Sequence, residues 1–461
     1  MAKLNAADIQ GFAMRGYTFP VARFVLMGIA NAEGGRALLL RILDQVTTAE
    51  RWDVKPDSTL NIAFTYAGLV RMGLPDATLL SFPVEFVQGM KARAPILEDS
   101  GNSAPERWDA VWRDSQVHVW VAIYGESLDV LARRCATLRQ FLQETGGARI
   151  LYEQDASALP DANGGYSTKE HFGYTDGFGN PDFEGADRKS QPGQGKLTAD
   201  GKWVPLATGE FLLGYPDEAG EIPAGPVPHL LAKSGTFMVY RKLHQNVATF
   251  RHYLDEHGSR YAGGKEKLAA KFVGRWRDGT PLLLSPDKED PAIVTNPARS
   301  TNFTYGEDSG GSRCPIGAHM RRVNPRDAFG FGGALINRRR IMRRGLPYGV
   351  YTPPDQPAND ADEHGVIFIV LNASISRQFE FVQQQWIQYG NDSHQGSDRD
   401  PLMGAHNGQG KFMIQGDTNA SNPPYMCTAL PSFVETRGGD YFFMPSLTAL
   451  RLIATNSVDP R

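Results

Sequence analysis

The sequence predicts an α+β protein built from two units of similar layout. A β-α-β rhythm occupies roughly the first 155 residues, and the same rhythm returns between about residues 235 and 389. A Gly/Pro/Asp-rich stretch from Asp155 to about Gly209 lies between them. The length of 461 residues, too great for one small core, points the same way.

Each element follows from its pattern. Ala22–Ile29 reads as a strand, and Glu33 to about Arg51 as a helix whose apolar face carries Leu38, Leu39, Leu40, Ile42 and Leu43. Gln116–Tyr124 has the β-branched, alternating character of a strand. Leu128–Glu144 reads as a helix ended by Gly146 and Gly147, and Arg149–Glu153 as the next strand. In the second unit Gly235–Arg241 reads as a strand running into a helix that ends near His257. Gly365–Leu371 reads as a buried strand followed by a helix over Ile375–Tyr389.

Composition narrows the function. With 41% hydrophobic and 21% charged residues the chain is an ordinary globular protein, and a net charge of −3 does not advertise a polyanionic partner. The longest clean apolar run, Val366–Leu371, is far short of the roughly 20 residues a spanning helix needs. The first residues lack the basic-then-apolar layout of a signal peptide. Three scattered cysteines, with no CxxC pair, argue against a disulfide framework or a cysteine zinc site. A soluble protein of a reducing compartment, the cytoplasm, is expected.

Three clusters carry chemistry. In Gly173–Pro181 three glycines and a proline bracket Asp176, so the backbone can bring this acid close to a ligand; the bland reading is a solvated Asp-Gly turn. In Arg313–Arg326, His319 follows a Pro/Gly turn and precedes several arginines. A neutral imidazole can ligate haem iron and guanidinium groups can pair with its propionates, against the plain reading of a satisfied structural histidine. In Asn337–Gly349, five arginines within seven positions suggest an anion or nucleic-acid patch, or a solvated basic strand.

Familiar alternatives fail. Gly404–Phe412 resembles a phosphate loop, but its glycine spacing is one residue too long and Phe412 stands where Ser or Thr would hold magnesium. No HExxH or GxSxG motif occurs.

Together the three clusters resemble the dye-decolourising haem peroxidases, one of the larger subgroups. Gly173–Gly177 matches the family's GxxDG motif, Cys314–Asp327 its proximal-histidine segment and Arg340–Gly349 its distal-arginine segment. Asp8–Tyr17, Glu210–Pro216 and Asn372–Phe381 agree in order, so the likeness runs almost end to end.

The resemblance implies a pair of ferredoxin-like domains with antiparallel sheets and peripheral helices, as in the dimeric α+β barrel proteins. It divides the chain into residues 1–190, ending in the GxxDG loop, and residues 191–461, holding haem b. It implies a peroxidase that reduces hydrogen peroxide and oxidises dyes, phenolics or other bulky aromatic donors by one-electron steps, with no nucleic-acid or membrane partner. The alternative is a cytoplasmic haem-handling protein with incidental peroxidase activity.

By the same resemblance His319 is the iron ligand and Asp176 the proton shuttle. Arg343 is the stabilising cation, with Arg340 and Arg344 as other candidates; strand alternation sends Arg344 to the other face. Arg322 and Arg340 are expected at the cofactor. Ile367 and Ile369, two apart on a strand, are expected to wall the distal pocket, the alternative being plain core. Asp400 or Glu380 would receive the second ring nitrogen of His319. An aspartate shuttle, with an ordinary pKa of about 3.9, predicts an optimum on the acidic side of neutral.

Overall fold

Nine strands form the main sheet of the computed structural model, which describes residues 4–186, 190–416 and 423–459. In chain order, β1 (Val21–Ile29) leads into α1 (Ala32–Leu43), β2 (Ser58–Phe64), β3 (Val119–Gly125), α2 (Leu128–Thr145) and β4 (Ala148–Ser157). β5 (Thr236–Gln245) then leads into α3 (Val247–Gly258), α4 (Gly264–Val273) and the short α5 (His319–Val323). β6 (Met342–Arg343), β7 (Leu346–Gly349) and β8 (His364–Asn372) follow. A helix wound as π turns over Ser376–Glu380 and Val382–Ile387 precedes β9 (Val434–Met444) and α6 (Leu447–Ala454).

All pairings in this sheet are antiparallel, and the order is β4-β1-β3-β2-β9-β5-β8-β6, with β7 also on β8. The order repeats. In the first half the fourth strand lies beside the first, then the third, then the second; in the second half β9 lies beside β5, then β8, which carries both β6 and β7, so each half has the arrangement of a ferredoxin-like unit. The predicted pair of α+β units is therefore what the chain forms. The halves meet where β2 pairs with β9 at Phe64 and Phe443. The edge strands β4 and β7 return to contact each other without pairing.

Local signals start and stop the helices. Asn31 Oδ1 accepts the Gly34 amide at 2.8 Å to cap α1, Ser127 Oγ caps α2 through Val130, and Gly146 ends α2 in the left-handed region. The helix expected to reach Arg51 stops at Leu43, because Thr47 turns away to donate its amide to Leu60 of β2. The division expected at residues 190–191 falls in the long connection between β4 and β5.

One core runs through both halves, from Phe24 and Trp120 to Tyr240 and Phe443. A second cluster packs α3 and α4 against the β5 end through Leu243, Phe250, Leu268 and Phe433. The functional cavity lies over β5, β8 and β9 of the second half.

Candidate active site

The Asp-Gly segment is a small hairpin. Lys169 bridges Thr175, and the Asp176 amide donates to the Thr168 carbonyl at 2.9 Å. Gly173 and Gly177 have φ of +94° and +97°, so their lack of a side chain is what lets the chain turn sharply on either side of the acid. Thr175 donates twice to the Arg277 carbonyl, tying the hairpin to the segment after α4.

Asp176 meets Arg343, carried by β6. Arg343 Nη1 donates to Asp176 Oδ1 at 2.7 Å and Nη2 to the Phe178 carbonyl at 2.8 Å. Asn180 bonds both the amide and the carbonyl of Arg343, so loop and strand are registered to each other. The Asp176 side chain is 55% accessible because it faces the open cavity, while protein surrounds it elsewhere. Burial pushes its carboxyl up, but the Arg343 charge, the Gly177 amide and His319 pull harder and hold it below the usual range.

His319 opens α5 after the Pro315–Ala318 turn, and its Nδ1 lies 2.9 Å from Asp400 Oδ2. The other oxygen of Asp400 accepts the amides of Leu402 and Met403, each at 2.9 Å. Burial opposes the Asp400 charge, yet His319, Arg322 and the Met403 amide outweigh it and hold the carboxyl below its ordinary value. A carboxylate can only accept, so the proton of the imidazole sits on Nδ1 and Nε2 keeps its lone pair. Nε2 is thereby prepared as a metal ligand.

Asp176, Arg343 and His319 all line one cavity of about 280 Å³, with Val366, Phe368 and Leu402 among its apolar walls. Arg241, paired with Asp99, lines it, as do three buried guanidinium groups with no carboxylate partner among the described residues: Arg275, Arg326 and Arg340. Their oxygen partners are main-chain carbonyls: Gly279 and Ser300 for Arg275, Thr301 and Phe303 for Arg326, and Gly179, Gln194 and Gly195 for Arg340. Burial, then the neighbouring Arg326, pulls both Arg275 and Arg340 down to about 9. Buried cations without carboxylate partners are costly, and a ligand bearing two carboxylates would relieve that cost. An oriented imidazole, apolar walls and unneutralised cations fit haem b and its two propionates.

Several expected residues lie elsewhere. Arg322 is turned out of the cavity lining, because the helix end at Ile387 leaves carbonyls that draw its guanidinium to Trp386, Tyr389 and Asp398. Arg326, in the same motif, stands at the cavity instead. Ile367 and Ile369 are wholly buried core; their neighbours Val366 and Phe368 face the cavity, paired in register with Leu243 and Arg241. The strand and its alternation are as expected, but the phase is the opposite one.

Glu380 is engaged by Arg93 and by the Tyr441 hydroxyl, so Asp400 is the partner of His319. Arg344 points to the other face, toward the Phe12 carbonyl. Arg340 does line the cavity. The arginine cluster is no surface patch, since Arg338 pairs with Asp217 and Arg339 covers the Phe381 ring. Sequence reasoning did not single out Arg275, Asn180, Val366 or Phe368. Arg275 carries no local signal that separates it from ordinary loop residues, whereas Asn180 lies within the glycine-rich segment Gly173–Pro181.

A ferredoxin-like pair that gathers a carboxylate-backed histidine, an Asp–Arg pair open to the cavity and cations placed for propionates has the features of a haem-binding protein. The profile of the DyP dimeric alpha+beta barrel domain matches residues 8–152. The multifunctional dye peroxidase DyP2 of an Amycolatopsis species is 32% identical over 73% of this chain and 74% of its own length. The structure of an ancestral D-type dye-decolorizing peroxidase superposes with a TM-score of 0.84 at 28% identity, covering 98% of this chain and 99% of that one. A dye-decolorizing peroxidase in complex with 2,6-dimethoxyphenol gives 0.81 at 26% identity, covering 98% and 100%. The chain belongs to the dye-decolourising peroxidase family. It is a haem peroxidase, with haem as its cofactor.

Proposed function

We propose that Asp176 is the proton shuttle of this peroxidase and Arg343 its stabilising cation, and that His319 would hold the haem iron. The observation that carries this reading is the gathering of all three around one cavity, each with its own supporting partner. Bound haem supplies the iron at which peroxide is activated and stores the oxidising equivalents.

The protein's part is to handle protons and charge. Oδ1 of Asp176 is taken by Arg343 and Gly177, which leaves Oδ2 to receive the first proton of hydrogen peroxide and return it to the departing oxygen. Arg343 stabilises the negative charge that develops as the O–O bond separates. Asp400 fixes the ring of His319 and raises its basicity. Arg275, Arg326 and Arg340 are the residues placed to hold the propionates.

Hydrogen peroxide is the oxidant in this reading, and the donor is a dye or phenolic aromatic, as the dimethoxyphenol complex of a relative supports. The cytoplasmic location expected from the sequence goes with it, supported by three buried, unpaired cysteines.

The test is to add one equivalent of peroxide to haem-loaded wild type, Asp176→Asn and Arg343→Leu and follow the visible spectrum. The reading requires a rapid change of the haem band in wild type and a slow one in both variants. Full speed in both variants would remove the assignment.

A further inference from the structure

Besides Asp176, Glu98 and Asp99, the carboxyl group of Glu170, six positions before Asp176, lines the cavity, and the reaction described above gives it no task. Glu170 sits inside the hairpin that ends in Asp176. Its Oε2 accepts the Phe172 amide at 2.8 Å and its Oε1 the Tyr174 amide at 2.9 Å. The main chain adds two more bonds, Glu170 amide to Tyr174 carbonyl at 3.0 Å and Gly173 amide to Glu170 carbonyl at 2.8 Å. The side chain thus replaces the missing backbone partners of the turn.

One further bond leaves the hairpin. Gln245, the last residue of β5, donates its side-chain amide to Glu170 Oε2. Arg241, Leu243 and Gln245 alternate along β5 and line the cavity, so this bond ties the hairpin to the cavity floor. The charged and titratable groups around the pair are Arg277 and Tyr174 beside Glu170, and Arg343 and His319 beside Asp176.

We propose that Glu170 is a positioning residue for Asp176: with Gln245 it locks the hairpin in the one register that brings Asp176 Oδ1 onto Arg343. This rests on the assignment of Asp176 as the proton shuttle. The hairpin register is decisive because Asp176 meets Arg343 through a single oxygen. Burial pushes the Glu170 carboxyl above the usual range, with Asp176 adding to the rise, so the two acids titrate apart.

The test compares Glu170→Gln and Gln245→Met with wild type in the haem-loaded protein. The rate of the haem-band change after peroxide is measured against pH, and exchange of the Phe172 and Tyr174 amides is followed alongside. In Glu170→Gln one oxygen becomes a donor amide and faces an N–H group, so the clamp opens. The expected result is a rate about 10- to 100-fold lower, in line with a misplaced catalytic group. Its acid limb should move to higher pH, because Asp176 loses hold of Arg343, and both amides should exchange faster. Gln245→Met leaves the Glu170 charge in place and should move the limb in the same direction by less.

A shift of the acid limb to lower pH in Glu170→Gln would mean that only a negative charge had been removed, and would overturn the proposal. So would unchanged profiles in both variants, or loss of stability alone. Asp176→Asn is measured in parallel. If it keeps full speed, the shuttle assignment fails; if it is slow while both clamp variants are normal, only the clamp fails.

Discussion

Arg343 and Asp176 are joined through one oxygen: Nη1 stands 2.7 Å from Oδ1, which also accepts the Gly177 amide at 2.6 Å. The pair is therefore lopsided. Oδ1 accepts two hydrogen bonds, which leaves Oδ2 for the proton in the role proposed above.

From this geometry Asp176→Asn removes the proton acceptor and Arg343→Leu removes the cation. The peroxide step should slow by about 10²–10⁴-fold in the first and about 10²–10³-fold in the second. Stopped-flow spectroscopy of the haem band reads both. A loss in the donor-oxidation step alone would contradict the roles.

The same pair sets a pH dependence. Asp176 works only when ionised, and its carboxyl is held below the ordinary value, so the peroxide step should persist below pH of about 3.9. It should fail only as pH drops through the lowered value. Arg343→Leu leaves burial unopposed by the guanidinium, so the acid limb should move upward. A limb that stayed in place in this variant would separate the two residues.

Cofactor retention should depend on Arg326 and Arg275 and not on Arg322. Replacing either cavity cation by Met should weaken haem binding by roughly 10- to 100-fold, the worth of about one charge-assisted hydrogen bond. Arg322→Met should leave haem affinity unchanged while lowering stability, since its three carbonyl partners lie outside the cavity lining. Titration of haem into the cofactor-free variants distinguishes these outcomes.

Asp400→Asn presents an amide or a weaker acceptor to His319 Nδ1 and no longer fixes the tautomer. Iron affinity should fall by about 10- to 100-fold, the usual effect of losing such a supporting carboxylate. The absorption spectrum and the haem dissociation rate report it.

Acid stability should be limited by a histidine stack behind the hairpin. The His364 ring lies between those of His171 and His244 at ring distances of 5.4 and 5.3 Å, and both of its nitrogens are buried. Burial pulls His171 down to about 4, the Tyr348 carbonyl opposing and His364 and His244 adding to the fall; burial also lowers His364. The unfolded chain binds these protons near pH 6.5 and the folded protein does not. Stability from His171 is therefore complete above about pH 6.5 and lost as pH falls toward 4, by at most on the order of 3 kcal/mol. Urea unfolding across that range should show the slope, and His171→Phe should flatten it.

The sequence by itself determined the α+β class and the repeated rhythm, which rest on apolar periodicity and glycine-marked turns that act within a few residues. Asp176 and His319 stood out in their turns and took their roles from the family resemblance, which also favoured Arg343 while leaving Arg340 and Arg344 open. It did not find β2 and β9, although these strands join the two halves, because their residues acquire meaning only once Phe64 meets Phe443. It found the strand Gly365–Leu371 and its alternation, but pairing with β5 decided that Phe368 and not Ile367 faces the cavity. Alternation is a property of one strand, whereas its phase is set by the neighbour.

Among the arginines, tertiary structure made every choice of partner. A guanidinium on a long, flexible stem goes wherever carbonyls or carboxylates lack donors, and those places are created by distant segments. Arg322 was drawn away by a helix end 64 residues further along, while Arg275, far from every motif, was brought to the cavity wall.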